Sequence, residues 1–184
     1  MRDSADRYGT VTRALHWGMA MLFLWQFGGM VVKEVVGRSP LTAFWVGSHT
    51  SVGMLLLALV LLRAIWGIAQ SRTRPSYHPG LIGALARLGH LALYVLMLVV
   101  PSLALLRAFG GDKPIMFFGL QLRGPTSAEV EWMTAPANAL HGTLAWLLLA
   151  LVAGHILMAL VHRYMWNDDL IGRMIGAPAA SRHT

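Results

Sequence analysis

Asn138–His162 reads NALHGTLAWLLLALVAGHILMALVH, 25 residues without one Asp, Glu, Lys or Arg. A helix rises about 1.5 Å per residue and about 20 apolar residues cross a bilayer core. This stretch is therefore read as a membrane-spanning helix. Two of its histidines, His141 and His155, stand 14 residues apart. That spacing returns to within roughly 40° of the same helix face, about 21 Å further along the axis. One face thus presents imidazoles at two depths.

Working outward, three more runs have the same character. Ala14–Val32 lacks charge until Lys33 and Glu34, Ala43–Leu62 continues through Arg63 toward Ile68, and Leu88–Leu106 forms the third. The expected architecture is an all-α integral membrane protein, a four-transmembrane-helix bundle with helices near 14–36, 43–69, 84–107 and 138–164 of a single membrane domain covering residues 1–184. Lipid leaves backbone groups no external partner, which requires helix in each span. The first span exceeds a signal-peptide core and no small-residue cleavage site follows, so it is expected to be retained.

Composition agrees. Hydrophobic residues make up 56% of the 184 and charged ones 12%, where a soluble domain carries about 25% charged residues. The chain has no cysteine, which excludes disulfides, thiolate-held iron–sulfur clusters, thiolate-ligated haem and covalent attachment of a c-type haem.

The net charge of +7 is distributed unevenly. The N-terminus (Arg2, Arg7, Arg13), the second connection (Arg63, Arg72, Arg74, Arg87) and the C-terminus (Arg163, Arg173, Arg182) carry ten basic residues; Lys33, Arg38, Arg107, Lys113 and Arg123 make five on the other side. The excess predicts both termini in the cytoplasm and contact with anionic lipid. No basic soluble surface suited to nucleic acid is visible. The longest connection, Gly110–Pro136, falls outside, and a link of that length often covers a site.

Depth sorts the histidines. His16 begins the first span, His49 lies near the outer start of the second and His90 near the cytoplasmic start of the third; His162 marks the exit of the fourth. His78 and His183 fall in a loop and the tail. His49 matches the level of His141, and either His16 or His90 matches His155. A lone helical histidine commonly just hydrogen-bonds a neighbour. Several at paired depths in lipid, where ionisable groups are costly and functional, point instead to two six-coordinate haems stacked across the membrane. A proton relay is the competing reading, but it usually recruits Asp or Glu within the spans, and none is there. Gly53, Gly89, Gly142 and Gly154 stand beside or one turn from histidines, where a flat macrocycle could approach; helix packing is the equally good alternative. Trp17, Trp45, Trp66, Trp146 and Trp166 fit an aromatic belt.

The segments Arg13-Ala-Leu-His16-Trp17, Gly47-Ser-His49, Arg87-Leu-Gly-His90, Phe117-Phe-Gly-Leu120, Leu140-His141 and His162-Arg-Tyr-Met-Trp166 together resemble the bacterial cytochrome b561 family. The likeness covers roughly residues 8–175, through the order and spacing of these motifs. It implies two haem b groups, with His16 and His155 on the cytoplasmic-side iron and His49 and His141 on the periplasmic-side iron. It also implies a multi-pass protein of the bacterial inner membrane. A small di-haem member of the family oxidises superoxide and reduces ubiquinone. By that likeness Lys33 and Arg38 would steer superoxide, with Arg107, Lys113 and Arg123 nearby, while His90 and His162 would relay protons to quinone without binding iron. Arg87 stands where that relative carries a further histidine, which touches the quinone side only. The alternative is a cytochrome b subunit passing electrons between a partner dehydrogenase or hydrogenase and the quinone pool; short termini favour independent action. A haem-free bundle serving transport or assembly is a third reading. Association with a second copy or a redox partner is left open.

Overall fold

A computed structural model describes residues 2–77 and 79–176; His78, Arg182 and His183 lie outside them. Four long helices cross the molecule: α1 (Thr10–Val36), α2 (Pro40–Ala69), α3 (Gly80–Gly110) and α4 (Glu131–Tyr164). All four are long and apolar enough to span a membrane, so the four-helix membrane bundle expected from the apolar runs is the fold. A short helix, α5 (Leu170–Ile175), follows α4. An even number of crossings leaves both termini at one end, here the terminal end; the opposite end carries a hairpin and is called the hairpin end.

The helices start earlier than the apolar runs do. Local chemistry sets the ends, because polar flanks extend a helix into the interface once caps are available. At α2, Ser39 Oγ accepts from the Thr42 amide and the Ser39 amide donates back to the Thr42 hydroxyl, with Pro40 in the first turn. That reciprocal cap fixes the start. Gly37 at φ +79° makes the tight α1–α2 turn, a conformation that favours glycine. α4 begins at Glu131 and carries Pro136 inside it, so the long connection is shorter than Gly110–Pro136.

Close packing runs from α1 to α2, α2 to α3 and α3 to α4. Met19, Val52, Leu56 and Val60 form the buried centre, with Phe23, Leu59, Tyr94 and Met97 against it. Gly29 lets Trp45 approach α1, at 2.8 Å from where a Cβ would stand. Gly110 admits Met133 of α4 in the same way. Most large apolar side chains face outward instead, including Leu24, Ile65, Leu81 and Leu157. In water such a surface would drive aggregation; in lipid it is the solvated face.

The long connection was expected only as a loop. It folds as an antiparallel hairpin, β1 (Ile115–Phe117) with β2 (Leu120–Arg123). Phe118 and Gly119 turn it with φ of 44° and 90°, the positive values a two-residue hairpin turn requires. The Phe118 amide donates to Ser51 Oγ at 2.9 Å, docking the hairpin two residues past His49. Arg123 fastens the base. Its guanidinium donates to the carbonyls of Ala108, Phe109, Gly111 and Lys113 at 2.7–3.1 Å. The first three sit at the negative end of the α3 dipole, and Lys113 lies just beyond it. Arg123 is therefore a helix-end clamp, with four carbonyls engaging its donors.

Charge-assisted hydrogen bonds of this kind contribute about 1.5–3 kcal/mol each to stability. Arg123→Leu is expected to lower the thermal midpoint in detergent and to expose residues 111–130 to protease. Arg123→Lys is expected to restore only part of this, since an ammonium cannot reproduce the guanidinium fork. Equal protease resistance in wild type and Arg123→Leu would contradict the clamp.

Candidate functional site

The histidines expected at two depths meet in pairs. The ring centroids of His16 and His155 are 6.3 Å apart and those of His49 and His141 are 6.2 Å apart. The planes within each pair are inclined at 69° and 78°. A metal–imidazole bond is about 2 Å, and about 1 Å separates the nitrogen from its ring centre, so two axial imidazoles on one iron stand with centroids about 6 Å apart. Both pairs fit that spacing.

The surroundings fit a flat group as well. α4 contributes one ring to each pair, yet its close packing is against α3, and it stands off from α1 and α2 among the described residues. The glycines near the histidines leave open space, which suits the approach of a flat group. A Cβ on Gly89, Gly142 or Gly154 would meet nothing within 4 Å, and one on Gly53 only the Gln26 amide at 3.5 Å. Glycines that serve helix packing would be crowded, as Gly29 and Gly110 are.

Orientation of one ring is explicit. His141 Nδ1 lies 3.0 Å from the Val100 carbonyl, on the peptide that precedes Pro101. Because a carbonyl only accepts, Nδ1 carries the proton and Nε2 is left as the lone-pair donor, the arrangement a metal-binding imidazole needs.

His90 is placed differently. Its centroid is 5.3 Å from that of His155, closer than two rings on one iron would stand. Its Nδ1 donates to the Ala86 carbonyl at 2.8 Å, in its own helix, and lies 3.4 Å from the Tyr77 hydroxyl. His162 is buried at the terminal end of α4, with Nδ1 3.1 Å from a carboxylate oxygen of Asp168 and its ring edge-on to Trp166 at 4.5 Å. It lies two turns beyond His155 on α4, and no group of three or more metal-binding side chains occurs among the described residues.

Several partners were not foreseen. Asp3 has a fully buried side chain and accepts from the Thr12 hydroxyl at 2.7 Å and the Gly9 amide at 2.8 Å, with Arg74 at 3.5 Å. Trp66, taken from sequence as a belt residue, donates to the same Thr12 hydroxyl at 2.9 Å. Trp17 donates to the Met174 carbonyl and Arg13 to the Ile175 carbonyl, which ties α5 back onto α1 beside His16. The signal for Asp3 was an acid upstream of an apolar run, and such acids are usually solvated.

At the hairpin end Lys33 stands in the last turn of α1 and Arg107 in the last turn of α3. Lys33 pairs loosely with Glu34 at 3.6 Å, a surface contact that removes little of its field. Arg38 and Lys113 are exposed.

A bundle of four lipid-facing helices with opposed imidazoles at two levels defines a class: a membrane protein suited to hold haem and move electrons. The chain belongs to the prokaryotic cytochrome b561 family, whose sequence model matches residues 7–177. It is 32% identical to cytochrome b561 homolog 2 of Escherichia coli (strain K12) over 95% of this chain and 94% of that one. It is 23% identical to the probable superoxide oxidase CybB of Yersinia pestis over 92% and 96%. Members of this family bind haem b, contact quinones and lipid, and transfer electrons in the membrane; this chain is a multi-pass bacterial membrane protein of that kind.

Burial raises the pKa of Tyr8 above its ordinary 10.0, Tyr77 adds to the effect and Arg74 opposes it. A folded-state pKa above the unfolded one means the contribution is complete below pH 10 and lost as pH rises through the folded value. Thermal midpoints measured against pH are expected to fall in that alkaline window, and Tyr8→Phe is expected to flatten the fall. An unchanged alkaline profile in Tyr8→Phe would contradict this.

Proposed function

We propose that the protein is a di-haem oxidoreductase of the bacterial inner membrane that oxidises superoxide at its periplasmic, hairpin end and reduces ubiquinone. The observation that carries the reading is the pair of imidazole pairs, 6.3 and 6.2 Å between centroids, at the two ends of one α4 face. His16 and His155 would hold the cytoplasmic-side haem b, and His49 and His141 the periplasmic-side one. When bound, the two haems supply the one-electron chemistry that joins the half-reactions.

Those half-reactions balance simply. Two superoxide anions yield two dioxygen molecules and two electrons, and ubiquinone takes two electrons and two protons to become ubiquinol. The protein's residues supply position, charge and protons. The Val100 carbonyl fixes His141 with Nε2 free. Lys33, Arg107 and the exposed Arg38 and Lys113 make the hairpin end attractive to a small anion, and such a field raises encounter rates. At the terminal end the basic excess supports a cytoplasmic placement. His162, oriented through Nδ1 by Asp168, would exchange protons at this end. His90 has Nδ1 committed to Ala86 and likewise offers Nε2. Superoxide as donor draws on the name of the Yersinia pestis relative.

The purified protein is expected to carry two low-spin haem b groups per chain by pyridine-haem assay. His49→Ala or His141→Ala should remove one spectral component, His16→Ala or His155→Ala the other, and His90→Ala neither. Loss of a haem in His90→Ala with retention in His16→Ala would overturn the pairing.

A superoxide-generating system is expected to reduce the haems, with superoxide dismutase suppressing the reduction. The rate should fall with salt, since exposed charges are screened beyond about 8 Å at physiological ionic strength, and the double substitution Lys33→Gln, Arg38→Gln should mimic high salt. Haems that stay oxidised under superoxide but accept electrons from a co-purifying dehydrogenase would favour the complex-subunit reading.

A further inference from the structure

Arg63 is an arginine inside a transmembrane helix, roughly two turns from the end of α2. Its Nε donates to the Tyr94 hydroxyl at 3.1 Å, while its Nη1 is buried with no hydrogen-bond partner among the described residues. No carboxylate pairs with it among those residues. The buried acid at this end, Asp3, is occupied by Arg74, Thr12 and the Gly9 amide. A guanidinium held in the bundle without a counter-anion is strongly unfavourable, so the arrangement is incomplete as the protein alone.

What completes it is indicated by position. Arg63 lines one cavity with His90, whose ring centroid is 5.3 Å from that of His155, which places its charge near the terminal-end imidazole pair. With Tyr8, Thr12, Tyr77, His90 and Tyr94 it lines a cavity of about 60 Å³. That space admits a carboxylate. The haem proposed at His16 and His155 carries two propionate carboxylates on one edge.

We propose that Arg63 binds a propionate of the haem held by His16 and His155, its guanidinium set by Tyr94. This rests on the bis-histidine reading given above. Arginine is the side chain suited to the task, because its planar fork matches a carboxylate with two parallel hydrogen bonds. A fixed cation there also favours the reduced, less positive state of the iron, so Arg63 tunes potential as well as holding the group.

The test uses the full-length protein, comparing wild type with Arg63→Gln, Arg63→Lys and Arg87→Gln, the last removing an exposed charge at the same end. Potentiometric titration resolves the two haems, and resonance Raman reads the propionate bending band. In Arg63→Gln one midpoint should fall, the other should hold, and the propionate band should shift. Arg63→Lys should keep most of the potential but still shift the band, since it retains charge without the fork. Arg87→Gln should change neither. If Arg63→Gln fails to assemble, Arg63→Lys carries the test through its band. Two bound haems with unaltered potentials and band in Arg63→Gln or an unaltered band in Arg63→Lys would overturn the proposal and leave the histidine pairing standing. Wild-type protein devoid of haem would overturn the pairing itself, and haem content tells the two failures apart.

Discussion

Lipid gives a polar side chain nothing to bond to, and the bundle is arranged around that constraint. Each intramembrane imidazole has to find its partner inside the protein or in a group the protein holds. The α1–α2 and α3–α4 pairs pack closely, while α4 stands off from α1 and α2, and across that separation the rings of His16 with His155 and His49 with His141 face one another at 6.3 and 6.2 Å. A bundle meant only to fill its own interior would have closed the separation. Open space at Gly89, Gly142 and Gly154 follows from the same arrangement, as does the small buried centre of Met19, Val52, Leu56 and Val60.

The two ends are finished differently. At the hairpin end, β1 and β2 are pinned by Ser51 and by the Arg123 clamp on the α3 terminus, which holds the hairpin beside His49 and leaves Lys33 and Arg107 to set the local field. At the terminal end, the N-terminal segment and α5 fold back over α1 through Asp3, Arg13 and Trp17. The polar network there, from Asp3 and Arg74 through Thr12 to Trp66, encloses Arg63 and Tyr94 near the other imidazole pair. One end thus presents charge to solvent and the other keeps charge inside.

Much of this was legible from sequence because it depends on one-dimensional periodicity. Four uncharged runs gave four helices, and the 14-residue step from His141 to His155 gave two levels on one face. Depth alone could not separate His16 from His90, since both sit near the same end; the proposed pairing takes His16 because its ring stands 6.3 Å from that of His155, against 5.3 Å for His90. The hairpin was missed because its strands of three and four residues are too short for alternation to register. The clamp made by Arg123 was not legible because a cation in a loop looks solvated until the carbonyls of a helix end are seen around it. Asp3 lies outside the spans, where an acid carries no sequence signal of burial.

The inclination of the paired rings offers the most direct check on the central claim, that each pair shares one iron. The ring planes of the two pairs are inclined at 69° and 78°, close to perpendicular, and if each pair held one low-spin ferric haem in that orientation its EPR signal would have a large, isolated maximal g value. The oxidised protein at low temperature is expected to show two such signals of equal weight. A rhombic spectrum of parallel imidazoles, a high-spin signal, or a single low-spin species would contradict the account.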